Sequence, residues 1–435
     1  MTISSSLAAG VAGLNANAQR LASISDNIAN SATSGYKRSV TDFHAMVAAG
    51  RGTQAYTAGG VRTSTLQLID QRGQLENSTN ATDISINGRG FLPVTDFRAL
   101  DQAGTPPLSL MTTGSFRPDD NGVLTNANGM VLMGWPAAPD GTFPPVSRDS
   151  GANLRPINIL HNQYSANPTT RASIGVNLPA ASAVPGAPGA PESLTMEYFG
   201  NLGQPESLRF EFTPAAATGG AANTWRMKII DLAGGTPTDI GEYDLTFRDA
   251  ATGGGLLDSV VPVGGAPAYN ADGSVELTLA GGNKMELNVG KLGEVGGLTQ
   301  LSSSFAPVNL AKNGSAVGTL TGVEIDPSGV MSAIYDSGFT RPIYRVPVID
   351  VPNPNGLQAQ DGQTYKLTLD SGPMFLWDAG DGPVGGTVGY SREASTTDVA
   401  NELTQLIQTQ RAYSSNAKII QTVDEMLQET TNLKR

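Results

Sequence analysis

The residues able to do chemistry are few, and their spacing suits none of the common reactions. The chain has no cysteine and two histidines, His44 and His161. Disulfides, thiolate nucleophiles and Cys-based metal sites are therefore excluded. The two histidines lie far apart in segments that read as loops, without an HExxH run or a triad order around them. Gly88-Arg89-Gly90 lacks the third glycine of a dinucleotide loop and runs into β-prone residues, so it is not expected to cradle phosphate. Pro118-Asp119-Asp120-Asn121-Gly122 sets two carboxylates beside a turn, but without the alternating ligands and terminal Glu of a calcium loop, and reads as an Asx-rich turn. Lys37 and Arg38, in Gly35-Tyr36-Lys37-Arg38, form a short basic cluster expected to be solvated or to pair with an acid. Asn77 and Asn80 fit nominal N-glycosylation acceptors, to which a chain without a secretory leader gives little weight. The 39 Asp and Glu contain no pair marked out by sequence for glycosidic acid and base work. No catalytic residue, cofactor or metal ligand is expected.

The elements that would position any site are mostly strands and turns. Across 435 residues there are 52 Gly and 27 Pro, with 6% aromatic and 15% charged residues, a balance that favours short strands over a large helical enzyme core. The length suits about three domains. The net charge is -12, and residues 61–390 carry -13 of it between two nearly neutral ends. No basic stripe is present for nucleic acid, which is not an expected partner. No run approaches the ~18 apolar residues of a membrane span. The N-terminus has no basic residue before Arg20, so export without a cleaved signal peptide is the expectation if the protein leaves the cell.

Both ends have helical periodicity. Leu7, Val11, Leu14, Ala18, Leu21, Ser25 and Ile28 step by four and three, and Gly35 and small polar residues end the run. Val399, Leu403, Leu406, Tyr413, Ala417, Ile420 and Leu427 step the same way, with Gln410 and Asp424 in the two remaining seam positions. Ser395 to Asp398 resembles a capping box ahead of this run. The C-terminal helix is expected to span about 35 residues, roughly 50 Å. Two seams of one period at opposite ends of a chain are most simply partners for each other. Their stripes are rich in Ala, Ser, Asn and Thr, so the ends are expected to be poorly ordered alone and to fold against copies of the chain.

Between the ends, Val47 to Thr65 reads as an extended Gly-rich connector. Ala81 to Val94 alternates apolar and polar residues about Gly88-Arg89-Gly90 and predicts a hairpin. Asn121-Gly122 and Asn128-Gly129 predict two further turns. A Pro/Gly/Ala stretch at 179–191 predicts a loop, and strands are expected within 224–232, 241–247, 274–280 and 284–290. Hairpin patterning returns within 322–338 and 341–351. The fold class expected is α+β: long N- and C-terminal helices forming a coiled-coil-like core domain, with all-β middle and outer domains. The boundaries expected are 1–30 with 395–435 for the core, 31–70 for the connector, 71–147 with 302–394 for the middle, and 148–301 for the outer domain.

Several stretches carry a resemblance. Leu21 to Arg38, with Asn27, Asn30, Gly35, Tyr36 and Lys37, resembles the N-terminal signature of the bacterial flagellar rod and hook axial family. The segment holding Gly88, Gly90 and Phe91 is similar to a hairpin of that family. The run with Gln410, Arg411, Tyr413 and Asn416 resembles its C-terminal helix. The resemblance covers about half the chain, and the extra β-rich stretch fits the hook-forming branch. It implies a structural subunit of a helical tubular universal joint that transmits motor torque and encloses an export channel. The implied seam is Leu7, Val11, Leu14, Leu21, Ile28, Val399, Leu403, Leu406, Tyr413, Ala417, Ile420 and Leu427. The implied partners are the chain itself, the distal rod, the hook cap, the hook-filament junction proteins and the flagellar type III export apparatus. The implied location is outside the cell. A distal rod or hook-associated protein, an extracellular β-rich polysaccharide-acting enzyme and an adhesive fibre protein remain as other readings.

Overall fold

A computed structural model describes residues 3–46, 58–100, 104–139, 141–186, 189–215, 221–249 and 253–432. Strands dominate it, with one long helix at each end: α1, Ile3–Ala29, and α2, Val399–Asn432. The chain divides into two compact units. One comprises residues 1–162, 322–333 and 340–435; the other comprises 163–321 and 334–339. No helix among the described residues is long and apolar enough to cross a membrane.

In the first unit, α1 and α2 pack together, and an antiparallel ribbon of Ser39–Ala45 and Val61–Gln67 lies against α1. The ribbon gives the described part of the expected connector a paired structure; residues 47–57 of that connector lie outside the described residues. His44 sits on this ribbon, exposed, with its Nε2 2.8 Å from Ser64 Oγ, and not in a loop. His161 lies in a short 3-10 turn, Leu160–Asn162. The adjoining core gathers Ile69, Phe91, Leu110, Met133, Trp135 and Tyr365.

The expected hairpin about Gly88-Arg89-Gly90 is not formed. Asp83–Asn87 pairs with Gly386–Gly389 and Thr113–Ser115, while Leu92–Asp96 pairs with Ser109–Met111 and Met130–Pro136. The two strands belong to different sheets, and Gly-Arg-Gly is the passage between them. Gly88 and Gly90 have φ of +125° and +124°, open to glycine and closed to L side chains. A Cβ at Gly90 would overlap Val348 Cγ1, because Phe91 bonds in both directions with the Ile349 backbone at 2.9 and 2.8 Å. The two Asn-Gly turns form as expected. Asp119 Oδ1 accepts from the Asn121 and Val123 amides, and Asn126 Oδ1 accepts from those of Asn128 and Met130.

The second unit joins two sheets over one apolar core. Glu192–Phe199, Pro205–Pro214, Thr224–Asp231, Thr238–Phe247 and Leu257–Pro262 follow one another as an antiparallel meander. The other sheet orders Ser274–Thr278, Lys284–Asn288, Arg171–Pro179 and Thr299–Leu301, with Ala306–Lys312 on the remaining edge of Arg171–Pro179. Alternating inward residues, among them Phe210, Phe212, Trp225, Tyr243, Val176 and Leu287, are buried between the two sheets. Tyr198 donates to Asp231, which also accepts the Ala233 and Ala280 amides and so ties three segments together.

Candidate assembly core at the joined chain ends

The two ends of the chain meet through a chain of polar contacts that starts in α1. Asn27 is fully buried. Its Nδ2 donates to Ser39 O, and its Oδ1 accepts from Ser39 N, both at 2.8 Å, so the side chain imitates one rung of a β-ladder. Tyr36 Oη donates to the same Oδ1 at 3.1 Å. Asn30 closes the helix: its Nδ2 donates to Asp26 O, and its Oδ1 accepts from Thr33 Oγ1. Gly35 then turns the backbone with φ +75° and donates its amide to Glu393 O at 2.7 Å. A Cβ there would meet Thr113 Cγ2 at 2.9 Å.

Lys37 decides the electrostatics. Its side chain has no solvent exposure, and Nζ donates to Glu393 Oε1 at 2.7 Å and to Gln71 O at 2.6 Å. Lys37 is thus not solvated but paired, and its acid belongs to the same chain, 356 positions away. Burial pushes the Lys37 pKa down, and the Glu393 carboxylate opposes that shift. Glu393 Oε1 also accepts the Gly73 amide, and its own amide donates to Thr113 Oγ1. Leu75–Asn77 pairs with Ser391–Glu393 to fix the strand that delivers it. Arg38 then reaches Glu402 Oε1, at 2.8 Å, in the first turn of α2. Asp398 is the residue that caps α2: its Oδ1 accepts the Ala400 and Asn401 amides at 3.0 and 3.2 Å. Ser395, the expected start of the capping box, instead accepts the Thr397 amide. Thr396 is held against the other end of the chain, donating its amide to Tyr36 O and accepting the Arg38 amide at Oγ1.

Between the helices the contact depends on small residues. Among the residues of α1 whose side chains are described, the buried ones are Ser5, Gly10, Gly13, Ala16, Asn17, Ser23, Ile24 and Asn27. Ile420 and Asn416 of α2 fill the space above Gly10 and Gly13, where a Cβ would stand 3.2 and 2.8 Å from them. Ser23 Oγ and Thr41 Oγ1, 2.9 Å apart, join α1 to the ribbon, with Gln19 and Thr63 also paired. In this chain by itself, Leu7, Leu14, Leu21, Ile28, Leu406, Ala417 and Ile420 are half-buried, whereas Val11, Val399, Leu403, Tyr413 and Leu427 are exposed. Gln410 and Arg411 are exposed beside them. The seam read from the apolar period is thus offset from the face α1 buries internally.

A second polar knot lies nearby in the first unit. Asp83 is buried and accepts from Ser78, Asn80, Ser115 and Arg117 at 2.5 to 2.8 Å. Burial alone would raise its pKa; the bonds from Arg117, Asn80, Ser78 and Ser115 outweigh it and hold the carboxyl at about 2. Asn80, a nominal glycan acceptor given little weight in sequence, is committed to this knot. Glu393, Glu402, Gln71 and Thr113 carried no sequence signal. A short basic pair after Gly predicts no particular acid, and strand pairing across the chain is what selects them.

Comparison with known proteins decides the family. Residues 7–37 match the model described as flagella basal body rod protein, and residues 388–433 match the flagellar basal body rod FlgEFG protein C-terminal model. Flagellar hook protein FlgE of Rhizobium meliloti is 30% identical over the whole of both chains. The chain belongs to the flagellar hook protein FlgE family. FlgE of Brucella suis is also 30% identical over full length, and that of Caulobacter vibrioides is 29% identical over full length. The FlgE2 crystal structure from Helicobacter pylori aligns over 72% of this chain and 98% of its own, with 15% identity and a TM-score of 0.46. Both family-model matches end in the joined termini: the first at Lys37, and the second across Glu393, Glu402 and α2.

Proposed function

We propose that this chain is the structural subunit of a flagellar hook, a helical tube that transmits motor torque to the filament and encloses the export channel. Family membership over the full length supports this. The observation that carries the mechanism is the pair of joined terminal helices, whose apolar row at Val11, Val399, Leu403, Tyr413 and Leu427 is exposed in the single chain. Those residues, with Leu7, Leu14, Leu21, Ile28, Leu406, Ala417 and Ile420, form the assembly seam, and the helices act as a coiled-coil-like core lining the tube. Ends 1–30 and 395–435 form that core and 31–70 the connector; the compact units move the boundaries read at 147 and 301, so that 71–162 with 322–333 and 340–394 is the middle domain and 163–321 with 334–339 the outer domain. The subunit performs no catalysis. It leaves the cell through the flagellar type III apparatus without a cleaved signal peptide, and meets the distal rod, hook cap and junction proteins at the ends of the tube.

Bending requires outer contacts that slide while the inner tube holds. Exposed ion pairs suit that role, being worth only ~0–1 kcal/mol each. Hydrogen exchange at residues 1–30 and 398–432, compared between monomer and sedimented polymer, tests the reading. Fast exchange in the monomer that becomes slow in the polymer is expected. Equal protection in both would mean that the helices complete themselves within one chain, and the seam would be lost.

A further inference from the structure

A groove of about 500 Å³ in the first unit is lined by Ser34, Arg117, Asn126, Asn128, Gln363 and Arg392, among others. Its two guanidinium groups share one buried carboxylate: Arg117 Nη1 is 2.8 Å from Asp83 Oδ1, and Arg392 Nε is 3.3 Å from Asp83 Oδ2. Both arginines are about half exposed, and among the described residues Asp83 is the one carboxylate within ion-pair distance of either. None of its lining residues is acidic, in a chain of net charge -12. Gln363 adds an independent mark. Its φ is +56°, a left-handed conformation that a long side chain rarely adopts and that persists where the surroundings hold it.

We propose that this groove docks a carboxylate-bearing segment of a second copy of this chain. The inference rests on the hook reading, which brings copies into register. Charge complementarity favours a copy over other occupants, because residues 61–390 of each one carry a net charge of -13. Half-exposed guanidinium groups contribute little while hydrated. Enclosed by a neighbour, they select a planar carboxylate and fix its register.

Ser34→Glu and Gln363→Glu each place a carboxylate in the groove and leave Asp83, Arg117 and Arg392 intact. Each is expected to raise the critical concentration for polymerisation at least tenfold, with the monomer's far-UV circular dichroism and thermal midpoint unchanged. A photo-crosslinker at Ser34 in polymer formed by the full chain should capture a peptide containing Asp or Glu from another copy. Wild-type critical concentrations for both variants, or crosslinks confined to one chain, would overturn the proposal and leave the hook reading standing. Saturable binding of inorganic phosphate to the monomer, lost in Gln363→Glu while polymerisation is unaffected, would assign the groove to a free anion and overturn it too. A wild-type chain that never polymerises would overturn both readings.

Discussion

Lys37 and Glu393 show how much one buried pair can decide. Two charges taken out of water repay that cost only when geometry and extra hydrogen bonds are good, and here Gln71 O and the Gly73 amide supply them. Removing one partner strands the other. Lys37→Met is therefore expected to lower stability by about 3–5 kcal/mol, while Lys37→Met with Glu393→Leu recovers most of the loss; urea unfolding of the two variants measures both. Asp83 makes the pH-dependent counterpart. Its folded pKa, about 2, lies below the ordinary 3.8, so the stability it contributes is present above pH 4 and is lost as pH falls through about 2. The amount is about 2 kcal/mol, and Asp83→Asn should flatten urea midpoints compared at pH 6 and pH 3. Of this site, the sequence showed the N-terminal half. Asn27, Gly35, Tyr36 and Lys37 stand in a recognisable order, but nothing adjacent marks Glu393, which reaches Lys37 only because the chain returns beside Leu75–Asn77.

At the scale of elements, the terminal helices follow from period and capping, yet the phase of their contact does not. A reading by apolar residues favours Leu7, Val11 and Leu14, whereas α1 turns Gly10, Gly13, Ala16 and Asn17 inward. Small residues let two helix backbones approach, and buried Asn and Ser are satisfied by Gly13 O, Arg20 O and the ribbon. That face looks polar or featureless in sequence because its partners are not in the sequence nearby. Gly10→Leu tests the offset. The new side chain meets Ile420, overpacking that typically costs 1–3 kcal/mol, and faster hydrogen exchange across 410–425 is expected, with residues 75–95 unchanged. Leu7→Ala, on the half-buried row, should disturb that exchange less. The strand at Asp83–Asn87 shows the same limit. Its alternation was legible, but its neighbours at Gly386–Gly389 and Thr113–Ser115 were not, and a local pattern suggested a hairpin where glycine backbones at Gly88 and Gly90 carry the chain between sheets.

For the whole molecule, division into two units follows from how the chain enters and leaves the second one. Tyr164–Asn167 pairs antiparallel with the strand holding Ser315–Thr319, and Leu320 donates its amide to Gln163 O. Entry and exit are thus adjacent, which permits a β-rich unit to be inserted without rearranging the segments around it. Its core is self-contained, with Trp225, Phe210, Phe212 and Tyr243 fully buried, and burial pushes the Tyr243 hydroxyl up to about 12. Aromatic and aliphatic burial on this scale is what lets a domain fold alone. The fragment 163–339, which keeps the turn bearing Asp336 after Val330–Tyr335 and its bonds to Thr319, is expected to unfold in one cooperative urea transition, with near-ultraviolet circular dichroism from Trp225 lost in the same step. It should stay out of the pellet when mixed with sedimenting polymer, since it lacks both terminal helices. A fragment that folded and still joined the polymer would transfer the main assembly contact from the helices to the β-rich unit. Sliding would then have to occur elsewhere, because the contact holding the tube together cannot also be the one that yields at every turn of the joint.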